Sequence, residues 1–88
     1  MQHLNHICKR HHIDCQNITT LSGGDINDTY KVTTSEEAYV IKLNQAEHFP
    51  NMFEIEAKSL DLLSKTKSFV IPKVIAFGDY EQYTYLII

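Results

Sequence analysis

Apolar side chains recur first at Leu4, Ile7 and Cys8, a spacing that lines one stripe of a short helix over residues 2–13. The period then changes. Asn17-Ile18-Thr19-Thr20-Leu21 is β-branched and alternating, as in a strand, and it runs into the turn residues Ser22-Gly23-Gly24-Asp25. Residues 29–33 predict a second strand, Ser35-Glu36-Glu37 a polar turn, and residues 38–43 a third strand. Three strands on short connections make an antiparallel meander. Phe53, Ala57, Leu60 and Leu63 then return at three- and four-residue steps, which predicts an amphipathic helix. Pro50 suits its first turn, where no helical hydrogen bond is lost, and Lys65 and Lys67 suit the negative end of its dipole.

Beyond Pro72, residues 73–77 read as an extended piece closed by Gly78-Asp79, and residues 83–88 as a last apolar strand with no turn after it. The pattern predicts an α+β fold: a five-stranded, mostly antiparallel sheet, one long helix packed on it and a short leading helix. As a single domain over 1–88 it divides into a leading helix (1–15), a three-strand meander with the glycine turn (16–44), a helix (50–66) and two strands (73–88).

Composition narrows the class. A chain of 88 residues hides only about 60–65% of the surface its unfolded form exposes, so the core is thin. With 43% hydrophobic and 22% charged residues it belongs with globular chains. A net charge of −3 and no basic run beyond Lys9-Arg10 argue against nucleic acid or a membrane surface as partner. Two cysteines make no disulfide framework, and no apolar stretch follows basic residues at the start, so no signal peptide is expected. A cytoplasmic protein is the expectation.

Three features carry candidate chemistry. The adjacent Gly23 and Gly24 allow a backbone that other groups approach closely, as in loops whose N–H groups cover phosphates; the same pair also makes an ordinary hairpin turn. Lys42 lies in an apolar strand on the face of Val40, opposite Tyr39, Ile41 and Leu43, and it either reaches solvent or meets an anion. Glu56 falls inside the apolar stripe of its helix, between Phe53 and Ala57, where a carboxylate needs a cation or a path to water. Glycine hairpin, strand lysine, helix glutamate and two further strands follow one another as in the amino-terminal lobe of a kinase.

Ser22-Gly23-Gly24-Asp25-Ile26-Asn27-Asp28-Thr29-Tyr30, Tyr39-Val40-Ile41-Lys42-Leu43-Asn44, Met52-Phe53-Glu54-Ile55-Glu56-Ala57 and Ile71-Pro72-Lys73-Val74 resemble the fructosamine kinase family, relatives of the aminoglycoside phosphotransferases. The likeness runs in order from about residue 18 to Ile88. It implies ATP-dependent phosphorylation, with magnesium, of the sugar of glycated amines, a deglycation activity. Lys42 would contact the phosphates and Glu56 would hold it by an ion pair. Gly23, Gly24, Asp25 and Asn27 would cover the phosphates, Val40 would line the adenine pocket, and Ile88 would precede the hinge to a second lobe. The cysteine that some members carry in the glycine loop is absent here, where Asp25 stands. The His-Gly-Asp catalytic loop and the later metal-binding aspartate occur nowhere in these residues, so the chain alone is expected to be inactive and its magnesium ligands to lie in a further lobe.

Two other readings stay open. His3, His6, Cys8, His11, His12 and Cys15 crowd the first fifteen positions, and Cys8, His11 or His12, and Cys15 on one helical face would suit zinc. The alternative within that segment is solvent-facing histidines with Cys8 packed as a small hydrophobe. A lobe without its partner would also expose apolar surface and a strand edge, which favours a homodimer or an interaction module.

Overall fold

The computed structural model describes residues 2–22, 28–45, 47, 51–65 and 73–88. The described elements are α1 (Gln2–Arg10), β1 (Asn17–Ser22), β2 (Asp28–Thr33), β3 (Ala38–Gln45), α2 (Met52–Ser64), β4 (Ala76–Tyr80) and β5 (Tyr83–Ile87). All five strands form one antiparallel sheet in the order β1-β2-β3-β5-β4. The first three are joined in chain order as a meander. After β3 the chain passes through α2 and returns at the far edge, so β5 pairs with β3 and β4 is left outermost.

Strand alternation sorts the side chains onto two faces. One face carries Val32, Ile41, Leu43, Tyr85 and Ile87, and α1 closes it with Leu4, Ile7 and Cys8, all buried. Full burial of each aliphatic side chain contributes about 1.5–3 kcal/mol, so nine helical residues suffice to cap this layer. The helix stops at Arg10, three residues earlier than its apolar spacing predicts. His12 takes a left-handed backbone (φ 59°), and the Ile13 N–H turns back to the Cys8 carbonyl at 2.8 Å, ending the helix while keeping Ile13 in the core.

The other face carries Lys42, Asn44, Thr84 and Leu86, and α2 lies across it. Phe53 and Ala57 are buried there against Leu86, with Met52, Val74 and Ile88 around them. The predicted stripe is only half used. Leu63, its last member, is 44% exposed. Glu54–Lys58 (3.5 Å) and Asp61–Lys65 (3.7 Å) pair one turn apart on its outer surface, with each acid on the amino-terminal side. The expectation for Pro50 and Lys67 lies outside the described residues.

Gly78-Asp79 does not close a strand. Both residues lie within β4, paired with Tyr85 and Thr84, and the chain reverses two residues later at Glu81-Gln82, where Glu81 has φ 54°. The glycine is needed for space instead. A Cβ on Gly78 would stand 2.9 Å from the Tyr85 hydroxyl, so the tyrosine ring lies directly over the bare backbone.

Candidate functional site

The site is built on the α2 face. β3 runs antiparallel to both β2 and β5, which sets Lys42 opposite Thr29 on one side and Leu86 on the other. Two residues back, Val40 and Ile88 exchange backbone hydrogen bonds (2.8 and 2.9 Å), so their side chains stand together in the same row as Lys42. An open cavity of about 440 Å³ begins at Ile88, with Tyr39 and Ile75 on its walls.

Glu56 enters from α2. It follows Phe53 by three positions, so burying Phe53 turns the carboxylate toward the sheet. Its Oε2 lies 3.1 Å from Lys42 Nζ and its Oε1 3.4 Å, so the ammonium donates to both oxygens. The side chains are 28% and 34% exposed, which leaves the lysine reachable by a ligand while the glutamate fixes its position. A half-exposed pair of this kind adds little to stability, about 0–1 kcal/mol, so its geometry is better explained by what the ammonium can meet.

Of the residues singled out in the sequence, the fold brings Val40, Lys42, Glu56 and Ile88 onto one face. Gly23, Gly24, Asp25 and Asn27 lie outside the described residues. Their anchors are described: Ser22 pairs with Thr29, which in turn pairs with Lys42, and a register shift between Thr20 and Ser22 bends β1 there. The connection therefore leaves the sheet at the Lys42 end.

Two residues join the row that motif reading passed over. Thr29 is half-buried beside Lys42. Asn44 is buried one step further along, its amide donating to Met52 Sδ at 3.9 Å and its Oδ1 accepting from the Gln45 N–H at 3.0 Å. Strand alternation from Lys42 would have found Asn44, whereas Thr29 comes beside it through the register of β2 on β3.

The histidine-rich segment is corrected. Cys15 is not on α1, which has ended five residues before it, so the proposed zinc face does not exist. Among the described residues no three of His, Cys, Asp or Glu are disposed to hold a metal. His6 and His12 are exposed, as expected, but three of the histidines also meet tyrosines. His6 stacks on Tyr80 (5.6 Å between ring centroids), His3 packs on Tyr83 (4.6 Å), and His11 Nε2 lies 2.6 Å from the Tyr85 hydroxyl. Arg10 Nη1 donates to the Asp79 carbonyl (2.6 Å) and to the same hydroxyl (3.3 Å). Burial, followed by the Arg10 and His12 charges, holds His11 below the usual histidine range. In the neutral tautomer with Nε2 unprotonated, the ring accepts a hydrogen bond from the Tyr85 hydroxyl, whose oxygen in turn accepts from Arg10.

A five-stranded antiparallel sheet with a strand lysine pinned by a helix glutamate defines the amino-terminal lobe of a kinase-like fold. The sequence model of the fructosamine kinase family matches residues 1–88, and the chain belongs to that family. It is 38% identical over 68 residues to a probable ketoamine kinase of Vibrio parahaemolyticus, covering 77% of this chain and 23% of the relative. A probable ketoamine kinase of Synechocystis is 35% identical over 69 residues, again with 78% and 23% covered. The chain thus spans about a quarter of the length of these relatives. Among solved structures it superposes on the Haemophilus somnus protein designated a fructosamine-3-kinase, with TM-score 0.73, 26% identity, and 83% of this chain and 24% of that one covered. A fold likeness alone joins it to an aminoglycoside phosphotransferase, with TM-score 0.72, 16% identity, and 96% and 27% covered. A mutant of an aminoglycoside phosphotransferase, solved in ternary complex with ADP and hygromycin B, gives TM-score 0.70 at 17% identity, with 94% and 27% covered.

Proposed function

We propose that this chain is the nucleotide-binding lobe of an ATP-dependent kinase that phosphorylates the sugar of ketoamines, a step that leads to deglycation of amines. The observation that carries the reading is the Lys42–Glu56 pair, held across the α2 face at 3.1 Å with the ammonium still accessible. In phosphoryl transfer the protein mainly positions the nucleotide and neutralises charge on its phosphates, and an anchored lysine does both. Lys42 contacts the α- and β-phosphates, Glu56 fixes it, and Thr29 borders the phosphate end of the row. Gly23, Gly24, Asp25 and Asn27 cover the phosphates from the β1–β2 connection. Val40 and Ile88 line the adenine side, and the ADP held by the related phosphotransferase supports a nucleotide here.

The magnesium ligands and the aspartate that orients the acceptor hydroxyl would lie in a further lobe, since no His-Gly-Asp sequence occurs within these residues. The lobe by itself does not turn over ketoamine. We place the reaction in the cytoplasm, where ATP is available. A second reading, self-association of the lobe, is favoured by the exposed Ile55 and Leu62 on α2. It would show as a doubled mass in sedimentation of the chain alone.

The test is turnover of fructosyl-lysine, followed by ADP release, in a protein that carries this lobe together with its second lobe. Lys42→Ala should lower turnover by about 10²–10³-fold, the size expected for removing one electrostatic contact to transferring charge. Unchanged turnover would remove the lysine, and with it this site, from the reaction.

A further inference from the structure

Cys8 and Cys15 lie outside the nucleotide site and take no part in it. Both are free thiols. The chain that joins them is folded back on itself. After α1 ends, the Ile13 N–H returns to the Cys8 carbonyl (2.8 Å), and the Cys15 N–H bonds to the Ile13 carbonyl (3.0 Å). This reversal packs Cys15 against the same apolar cluster that contains Cys8. The two side chains line one open cavity of about 270 Å³, whose wall also carries His6, Lys9 and Asp14. Cys8 is buried, whereas Cys15 is half-exposed, and its thiol makes a long contact to the Asn17 carbonyl, 3.8 Å.

We propose that Cys8 and Cys15 form a peroxide-responsive dithiol that closes to an intrachain disulfide, tying the end of α1 to the start of β1. Cys15, the accessible sulfur, reacts first. Its thiolate attacks a peroxide oxygen, the O–O bond breaks, and water leaves with the proton, which makes Cys15 a sulfenic acid. The Cys8 sulfur then attacks Cys15 Sγ, the S–O bond breaks and a second water departs with the Cys8 proton. Two thiols lose two electrons and two protons, and hydrogen peroxide becomes two waters. Burial, reinforced by the neighbouring Cys15, pushes the Cys8 thiol up to about 11. Closure therefore quickens as the solution becomes more alkaline.

The chain holds just these two cysteines, so its intact mass reports directly on the pair. The protein is exposed to hydrogen peroxide, unfolded, alkylated with iodoacetamide without reductant, and weighed. The expected product is a monomer lighter by two hydrogens with no alkyl group, restored to two alkylated cysteines by prior reduction. A proteolytic map of the wild type should show the Cys8 and Cys15 peptides linked. Cys15→Ser should leave Cys8 fully alkylated after the same exposure. Two alkylated thiols, a disulfide joining two chains, or Cys15 over-oxidised beside an intact Cys8 thiol would each overturn the proposal. Because the wild-type map decides the matter, a poorly folding variant does not.

Discussion

The two faces of the sheet are built on different principles. On the α1 face, Leu4, Ile7, Val32, Ile41 and Ile87 are sealed from water, and polar groups appear only as a clasp at the rim. On the α2 face the sealed cluster is three residues, Phe53, Ala57 and Leu86, and beside it an accessible ion pair occupies the middle of the sheet. Apolar area sets stability, whereas a half-exposed charge pair adds little to it. One face holds the lobe together and the other presents an accessible ion pair.

The comparison is tested most severely by Ile41→Ala. Ile41 is fully buried between β2 and β5 and packs beneath α1. Removing its side chain should cost about 2–5 kcal/mol, since the surrounding sheet cannot collapse into the space. For a domain of this size each kcal/mol lowers the melting midpoint by about 4–8 °C, so thermal unfolding monitored by circular dichroism measures the loss easily. A shift under a few degrees would mean that α1 contributes little to the core.

Gly78→Ala tests the rim of the same face. The new methyl would meet the Tyr85 hydroxyl at 2.9 Å. The ring must move, and its bonds to His11 and Arg10 move with it. A cost of about 1–3 kcal/mol is expected from such overpacking. Pairing it with Tyr85→Phe, which removes the hydroxyl that the methyl would strike, should recover part of the loss in a denaturation series.

Glu56→Gln turns to the other face. Stability should change by less than about 1 kcal/mol, because the pair is half in water. Turnover of the two-lobed enzyme should fall by about 10–100-fold, as the amide no longer anchors the lysine charge. If stability falls and turnover holds, the roles assigned to the two faces are exchanged.

These faces were unequally legible. Helix and strand periods carry the α2 stripe, the three-strand meander and the closing strand, because burial on one side imposes a local rhythm. Glu56 declared itself by standing between Phe53 and Ala57, where a charge must find a partner, and the strand lysine upstream was its natural one. The order β3-β5-β4 was not legible, since nothing local says on which edge a strand returns after a helix. Gly78 was read as a turn when it is a void for Tyr85, a requirement set by a residue on the neighbouring strand. The histidines were opaque for the same reason, as His3, His6 and His11 meet tyrosines 74 to 80 positions away in sequence only once the β4–β5 hairpin has folded.

That clasp yields the smallest predicted effect and the most specific. His11 has its pKa lowered from 6.5 by burial first, then by Arg10 and His12. Tyr85 faces it from β5, and Arg10 also lies over the Tyr80 ring at 5.4 Å. The unfolded chain therefore binds a proton at His11 more readily than the folded one does. Its contribution is fully present above about pH 6.5 and is lost as pH falls through the lowered folded value, so acidification destabilises the lobe. Protonated, His11 must donate to a hydroxyl that already accepts from Arg10, and the Tyr85 proton loses its acceptor. Urea unfolding at pH 7.5 and 5.5 should show a loss of stability in the wild type that is smaller in His11→Gln, whose side chain can accept the same hydrogen bond without titrating. His3 and His6 are present in both proteins, so the difference between the two slopes isolates His11. Equal slopes would mean that the clasp holds by ring packing alone.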